Sequence, residues 1–338
     1  MITALGLTVA LICPNPGAQR LAAADSFDYP AGSLNGLEGG TGWEVAWICE
    51  NNGLSPAARV LYPGLDAVGG RVATQYSLGG SFRALDAEPH GLVTEGGLFG
   101  KDGASIWLSF DCVRNQGAND DFGVLGLLRP GVSGERLVIG CPSGGVEWGI
   151  QAPGGFPVFV PGSDVAQAAR LVCRMDFQAG DERARLWVDP ADAHPAVPAD
   201  AETTVSDFRF DEISLRSGGG TVAGFSFDGL RVEYEADPPV LQLAGTCPGI
   251  FTLGGSGYST DAMIYLAYAI ATGSYAVGSG PCQGTLLNLD APSLIGVLRA
   301  DENGAFSFQG NFPSTLCGTS WLQAMDGDTC AVSNTVFF

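Results

Sequence analysis

Glu233, Glu235 and Asp237 in VEYEADPP recur at every second position, so a β-strand would carry all three acids on one face. Paired carboxylates are the tools of glycoside hydrolysis: one protonates the leaving oxygen while the other attacks or activates water, with the two about 5 to 9 Å apart. This triplet abuts a Pro-Pro pair, and acids in that position read as a solvated strand edge rather than the floor of a cleft. A serine hydrolase would need a G-x-S-x-G elbow and a histidine base. GGSFR and GGSGY do not match the elbow, and His90 and His194 both sit in proline-bearing loops with the character of surface residues. No glycine cluster leads into a helix with a lysine, as a phosphate cradle requires.

Hard cations take oxygen ligands from tight turns. QGANDDFG (Asp120, Asp121), AGDERA (Asp181) and MDGDT (Asp326, Asp328) offer such oxygens, but none has the spacing of a calcium loop. Asp in a turn ordinarily bonds its own backbone. No cofactor and no metal site is therefore expected, calcium being the one ion that these turns could attract. A carbohydrate binder would show aromatic platforms against which the apolar face of a sugar packs. Trp43, Trp47 and Trp148 lie beside glycine-rich loops and are the candidate ligand-binding residues, with core or rim packing as the competing reading. Trp107 and Trp187 sit in apolar strands and read as core.

The elements that would position these residues are strands. Runs such as ASIWLSFDCVR, ERLVIGCP, ARLVCRMDF and FSFDGLRVEYE are aromatic-rich and β-branched, broken by Gly, Pro, Asp and Asn, and none sustains a helical period. Arg170 to Phe177 and Arg183 to Val188 flank QAGDE, a hairpin connection. The region 25–236 thus holds about a dozen strands, more than an immunoglobulin-type sandwich and normal for a two-sheet jelly roll. Pro238 and Pro239 mark a linker, because proline cannot extend a central strand. Beyond it, 237–338 thins in charge and packs about eight short runs into roughly a hundred residues, the density of a small immunoglobulin-like sandwich. An Asn-Gly pair in RADENGAFSF predicts a hairpin there.

The chain carries 36 acids against 16 bases, a net charge of -20. Such a surface repels phosphate backbones, so nucleic acid is excluded as a partner. The apolar opening MITALGLTVALICP is too short to span a bilayer and has the length of a signal-peptide core, so 1–24 is expected to be a leader, cleaved after Ala24 or Ala18, and the protein to be secreted or held at the cell surface. No base precedes the apolar run: either the start lies upstream or the leader is atypical. Losing Cys13 from nine cysteines leaves eight, an even number that an oxidising compartment allows to pair. Cys112 and Cys173 lie inside apolar strands, as free buried thiols or as a bridge. Cys247, Cys282, Cys317 and Cys330 crowd into the second domain as two disulfides. If the loop after its first strand and the loop holding Cys282 share one end of the sandwich, the pairing is Cys247 with Cys282 and, by elimination, Cys317 with Cys330.

DSFDYPAGSLNGLEGGTGW, RLVIGCPSGGVEWGI, RLVCRMDFQAGDERARLWVDP and ISLRSGGGTVAGFSFDGLRVEY together resemble the laminin-G-like, concanavalin A-like jelly-roll domains of secreted planctomycete-type bacterial proteins. GTCPG, SGPCQGT, ADENGAFSFQG and LQAMDGDTCAVSN resemble a small β-sandwich module appended to secreted bacterial proteins, to which no activity is attached. The first resemblance implies that the first and last strands are neighbours, with DSFDY paired to the strand around Leu230 to Tyr234 and Phe27 and Tyr29 facing the core. It also implies a non-catalytic binding, adhesive or structural protein, its partner an extracellular glycan or cell-surface component. A glycan-active hydrolase or lyase on the same fold is the alternative. A cleft with paired acids near aromatics would favour the enzyme, and a filled face would favour binding.

Overall fold

The structure, a computed structural model, describes residues 19–50, 58–74, 79–86, 92–94, 96–117, 121–129, 134–219, 224–235, 238–259, 261–280, 282–301, 304–312, 314 and 316–338. Among them every regular element is a strand, and no helix is long and apolar enough to cross a membrane. The chain divides into two compact units, Arg20–Tyr234 and one built on Glu235–Phe338. The expected all-β architecture, a jelly roll followed by a smaller sandwich, is what the strands form.

In the first unit, the described residues form a nine-stranded and a seven-stranded sheet. The nine-stranded sheet runs Ala201–Val205, Glu182–Val188, Ala169–Asp176, Ser105–Gln116, Gly224–Glu235, Arg71–Thr74, Ala58–Leu61, Gly32–Ser33, with Gln19–Asp25 also paired to Gly224–Glu235. The seven-stranded sheet runs Val158–Phe159, Gly149–Gln151, Leu137–Cys141, Phe122–Leu128, Glu212–Gly218, Ser81–Ala84, Ile48–Cys49. Strand alternation puts Ile106, Leu108, Phe110 and Cys112 on the inner face, all buried, as are Leu125, Ile139 and Leu215 opposite. The sheets meet closely: a Cβ added to Gly123 would lie 2.1 Å from the Phe225 ring of the other sheet. Ala169–Asp176 and Glu182–Val188 form the expected hairpin.

Three expectations change here. Gln19–Asp25 is a strand of the large sheet, with Ala22 and Ala23 buried, so only the cleavage point after Ala18 leaves that strand whole. Residues 1–18 of the expected leader lie outside the described residues. The segment pairing with Gly224–Glu235 is this strand, not Phe27 to Tyr29; those two side chains are buried as expected, but from the loop that follows. Gly224–Glu235 is an interior strand flanked on both sides, so Glu233 and Glu235 do not sit on a sheet edge. Asp237 lies outside the described residues.

The second unit packs a three-stranded sheet (Val240–Gly245, Gly249–Ser256, Phe306–Phe312) on a four-stranded one (Ser293–Arg299, Met263–Ala269, Trp321–Asp326, Val336–Phe337). Leu241, Leu253 and Phe306 from the first meet Ile264, Leu266 and Leu322 from the second in one core. Ser293–Arg299 and Phe306–Phe312 belong to opposite sheets, so the expected hairpin between them is a crossover; Asn303 lies outside the described residues. The disulfides are Cys247–Cys317 and Cys282–Cys330, with Cα separations of 5.4 and 5.3 Å, and this corrects the expected pairing. The cause is topological. Cys282 lies in an excursion, Tyr275–Ala276 paired with Leu286–Leu287, that folds onto the outer face of the four-stranded sheet, where Cys330 follows Trp321–Asp326. That leaves Cys247 to meet Cys317. Cys112 and Cys173 are free buried thiols.

Candidate binding face of the nine-stranded sheet

The stretch from Asp25 to Trp47 is a folded loop organised on one carboxylate. Asp25, whose side chain is 1% exposed, accepts hydrogen bonds from the Phe27 amide (2.8 Å), the Tyr29 hydroxyl (2.6 Å), the Trp47 indole (2.9 Å) and the Arg83 guanidinium (2.5 Å). Arg83 also donates to the Tyr29 hydroxyl (3.0 Å) and to the carbonyls of Val45 and Gly39, and stacks over Trp43 at 4.9 Å. A buried ion pair persists only when both partners are satisfied in this way. Gly40 and Gly42, both at positive φ, let the loop cross Gln19–Asp25: a Cβ would stand 2.1 Å from the Ala24 carbonyl at Gly40 and 1.8 Å from the Ala22 carbonyl at Gly42. The loop is therefore architecture rather than a ligand clamp.

This placement corrects two of the three tryptophan candidates. Trp47 is buried against Phe27, and Trp148 is buried beneath the turn whose Ser163 hydroxyl receives its backbone amide, so neither offers a ring face to a sugar. Trp43 is half-buried, its indole bonded to the Ala24 carbonyl and its ring under Arg83. The structure brings Trp43 and Trp47 together, ring centroids 6.2 Å apart, and Trp148 lies elsewhere, beside the seven-stranded sheet.

The outer face of the nine-stranded sheet carries what composition alone did not reveal. Trp107 and Trp187 are buried as expected, but they point away from the main core and form a second small cluster with Val172. They stack at 5.6 Å, and the loop 189–200 covers them: the Trp187 indole donates to the carbonyls of Val197 and Pro198. His194 of the same loop stands edge-on to Trp107 at 5.1 Å and shares a 3.1 Å hydrogen bond with Glu233. His194, expected at the surface, is half-buried because this loop folds down. Glu233 also receives Arg231 at 2.7 Å, while Asp176 is held by Ser105, Arg174 and Arg185. Burial pushes the Asp176 carboxyl up, but its bonds to Ser105 and the two arginines outweigh this and leave it below the usual range.

Between this loop and a second one, 62–70, the central strands place Asp111 directly opposite Asp228. Cross-strand neighbours on one face have Cβ atoms about 4.5 to 5.5 Å apart, which is within the spacing of a retaining glycosidase pair. Burial, opposed by the amides of Leu65 and Gly229 and reinforced by Asp66 and Asp111, lifts Asp228 to about 6. Burial also raises Asp111, with Arg170 opposing and Asp66 and Asp189 adding to it. Electrostatically this resembles an acid pair. Sterically it does not. Asp228 is buried, its two oxygens accept the Leu65 amide at 2.7 Å and the Gly229 amide at 2.8 Å, and a Cβ on Gly64 would lie 2.7 Å from one of them. The carboxylate ties the loop 62–70 to the sheet.

What stays open is a polar strip: half-buried Asp111, Arg170 with its guanidinium on the Ser109 hydroxyl (3.3 Å) and its amide on Asp189, and the exposed end of Arg231. Among the calcium candidates, Asp326 has its oxygens taken by the amides of Ser259, Asp328 and Thr329, as a turn-forming Asp does. Asp121 is buried, Asp181 and Asp328 stand in separate turns, and Asp120 and His90 lie outside the described residues. Among the described residues no three His, Cys, Asp or Glu side chains converge as metal ligands.

Strand order and outer face together define an all-β, two-sheet jelly-roll protein with a covered sheet face. No protein-family model and no curated protein sequence matches the chain. Among solved structures, a glycosyl hydrolase family 16 protein from Mycobacterium smegmatis is similar at 15% identity and TM-score 0.35, over 63% of this chain and 100% of that one. A structure from work on endo-acting O-glycanases of human gut bacteria that initiate mucin breakdown is similar at 10% identity and TM-score 0.35, over 63% and 98%. A botulinum neurotoxin type C structure, from work on its interaction with two ganglioside molecules, is similar at 9% identity and TM-score 0.35, over 94% and 87%. Likeness this loose bears on neither activity nor ligand.

Proposed function

We propose that the chain is a secreted, non-catalytic binding protein whose jelly roll takes a neutral, hydroxyl-rich ligand, a glycan segment, on the polar strip of Asp111, Arg170 and Arg231, with the buried Ser109 hydroxyl orienting Arg170 from beneath. The observation that carries this reading is the engagement of Asp228. An acid that must protonate a glycosidic oxygen needs a free, approachable oxygen, and both of Asp228's are bound to backbone amides beneath a loop. Its partner Asp111 is left as a hydrogen-bond acceptor beside a guanidinium, a combination that matches neighbouring sugar hydroxyls, which donate and accept at once. The net charge of -20 disfavours polyanionic glycans. Two disulfides in the second unit suit an oxidising, extracellular setting.

The test is an array of neutral and charged glycans probed with the full chain, with reducing-sugar release followed on every glycan that binds. Binding without release is expected, and Asp111→Asn and Arg170→Ala should each weaken it at least tenfold while leaving the thermal midpoint within a few degrees. Sugar release that disappears in Asp228→Asn would overturn the reading in favour of a hydrolase.

A further inference from the structure

The outer face of the four-stranded sheet in the second unit carries a hollow built by one small residue. The ladder sets Gln323, Ala267 and Leu294 side by side on three neighbouring strands, because a bulge at Ile295 shifts the register and brings Leu294 against Ala267. Between the two longer side chains Ala267 ends at its methyl group, and space is left above it. Met325 and Tyr265, directly paired, form the next row on the same face. The excursion of Tyr275–Ala276 and Leu286–Leu287, pinned by Cys282–Cys330, folds over this face, and between the two lies a cavity of about 310 Å³. Tyr275 and Leu294 both line it and reach solvent, 41% and 61% exposed, and so mark its mouth.

We infer that this cavity binds a small uncharged aromatic molecule of two rings that carries one hydroxyl group. Size follows from volume. A cavity of about 150 Å³ holds benzene, so one about twice as large holds two fused rings. Charge follows from the lining: none of the residues around the cavity is charged, and a buried charge without a partner is costly. Aromatic character follows from Met325 and Tyr265 in the floor, since a thioether and a phenol ring both make favourable contacts with ring faces and edges. The hydroxyl follows from Gln323. Its buried amide accepts the Asn288 amide at 2.8 Å and donates to the Ser333 carbonyl at 2.8 Å, out of two N–H groups and two lone pairs. Among the described residues one N–H and one lone pair are left unspent at the cavity wall, and a hydroxyl both donates and accepts. The Cys282–Cys330 bridge fixes the excursion before a ligand arrives, which lowers the ordering cost of binding.

The probe is 2-naphthol, measured against the full chain by equilibrium dialysis at neutral pH beside naphthalene, the saturated 2-decalol and charged 2-naphthalenesulfonate. One molecule of 2-naphthol is expected to bind per chain. It should bind about threefold to tenfold tighter than naphthalene or 2-decalol, the worth of one net hydrogen bond or one set of ring contacts, and at least tenfold tighter than the sulfonate. Ala267→Leu, which fills the hollow, should abolish binding with the urea midpoint unchanged. Where that variant is destabilised, Tyr275→Ala at the exposed mouth decides, and it should weaken 2-naphthol at least fivefold while the chain stays folded. The inference is overturned if 2-naphthol does not bind up to its solubility limit, if naphthalene, 2-decalol or the sulfonate binds as tightly, or if a folded Ala267→Leu or Tyr275→Ala variant binds 2-naphthol as the native chain does.

Discussion

Replacing Asp228 by asparagine keeps the shape of the loop anchor and removes its titration. In the folded chain, burial, partly offset by the Leu65 and Gly229 amides, lifts the carboxyl from its ordinary 3.8 to about 6. The folded form therefore holds its proton more tightly than the unfolded chain does. This contribution to stability is fully present below about pH 4 and is lost as pH rises through 6, the reverse of the usual acid unfolding. The difference of about 2.2 pH units (6 − 3.8) corresponds to about 3 kcal/mol at 1.36 kcal/mol per unit, and to about half of that once water reaching the strip is allowed for. Asparagine leaves one amide without an acceptor, a cost of about 1 kcal/mol at every pH. Urea unfolding of both proteins, followed by tryptophan fluorescence at pH 4, 6 and 8, separates the two effects. The advantage of the native chain should shrink by about 1.5 to 3 kcal/mol between pH 4 and pH 8, and the variant should match or exceed it at pH 8. An equal difference at all three values would refute the placement of Asp228 as a buried anchor.

Asp25→Ala should cost about 3 to 5 kcal/mol, because it strands the Arg83 charge in the interior, and Arg83→Met combined with it should recover part of that loss; chemical unfolding of the two variants decides, and a neutral Asp25→Ala would return the opening loop to the status of a ligand site. Non-reducing peptide mapping should yield Cys247 joined to Cys317 and Cys282 joined to Cys330, with thiols at Cys112 and Cys173; closing separations of 70 and 48 residues, each bridge should stabilise by about 4 kcal/mol on chain-entropy grounds, measurable as a fall in unfolding midpoint on reduction.

Strand content was legible because it is written locally. SIWLSFDC places Ile106, Leu108, Phe110 and Cys112 on one side whatever happens elsewhere, and the structure buries all four. The same segment also held an unused signal: Trp107 stands in the row shared with Ser109 and Asp111, and a tryptophan in a polar row implies that something covers that face. The cover, 189–200, is a proline-rich loop whose destination depends on contacts with Trp187 and Glu233 far away in the fold, so no window of sequence contains it. Gln19–Asp25 was hidden for a different reason. QRLAAAD has no β-branched or aromatic residue, and its pairing with Gly224–Glu235 rather than its own propensity makes it a strand.

The disulfide connectivity and the acid pair share one lesson about range. Cys282 is nearer in sequence to Cys247 than to Cys330, yet the excursion it rides on folds over the outer face of a sheet, and the partner it reaches is the one that ends the strand beneath. Asp111 and Asp228 lie far apart in the chain and meet because the first long strand and the last are neighbours in the large sheet. Topology thus creates the one feature among the described residues of the jelly roll that looks like catalysis, and the amide of Leu65 in a short glycine-bearing loop, together with that of Gly229, commits it to structure instead. Leu65→Pro deletes one of the two amides that favour the ionised carboxylate, so while the loop stays closed Asp228 should titrate higher still and the pH-dependent share of stability should grow; a smaller pH dependence would show that the loop has opened and water has reached the carboxyl.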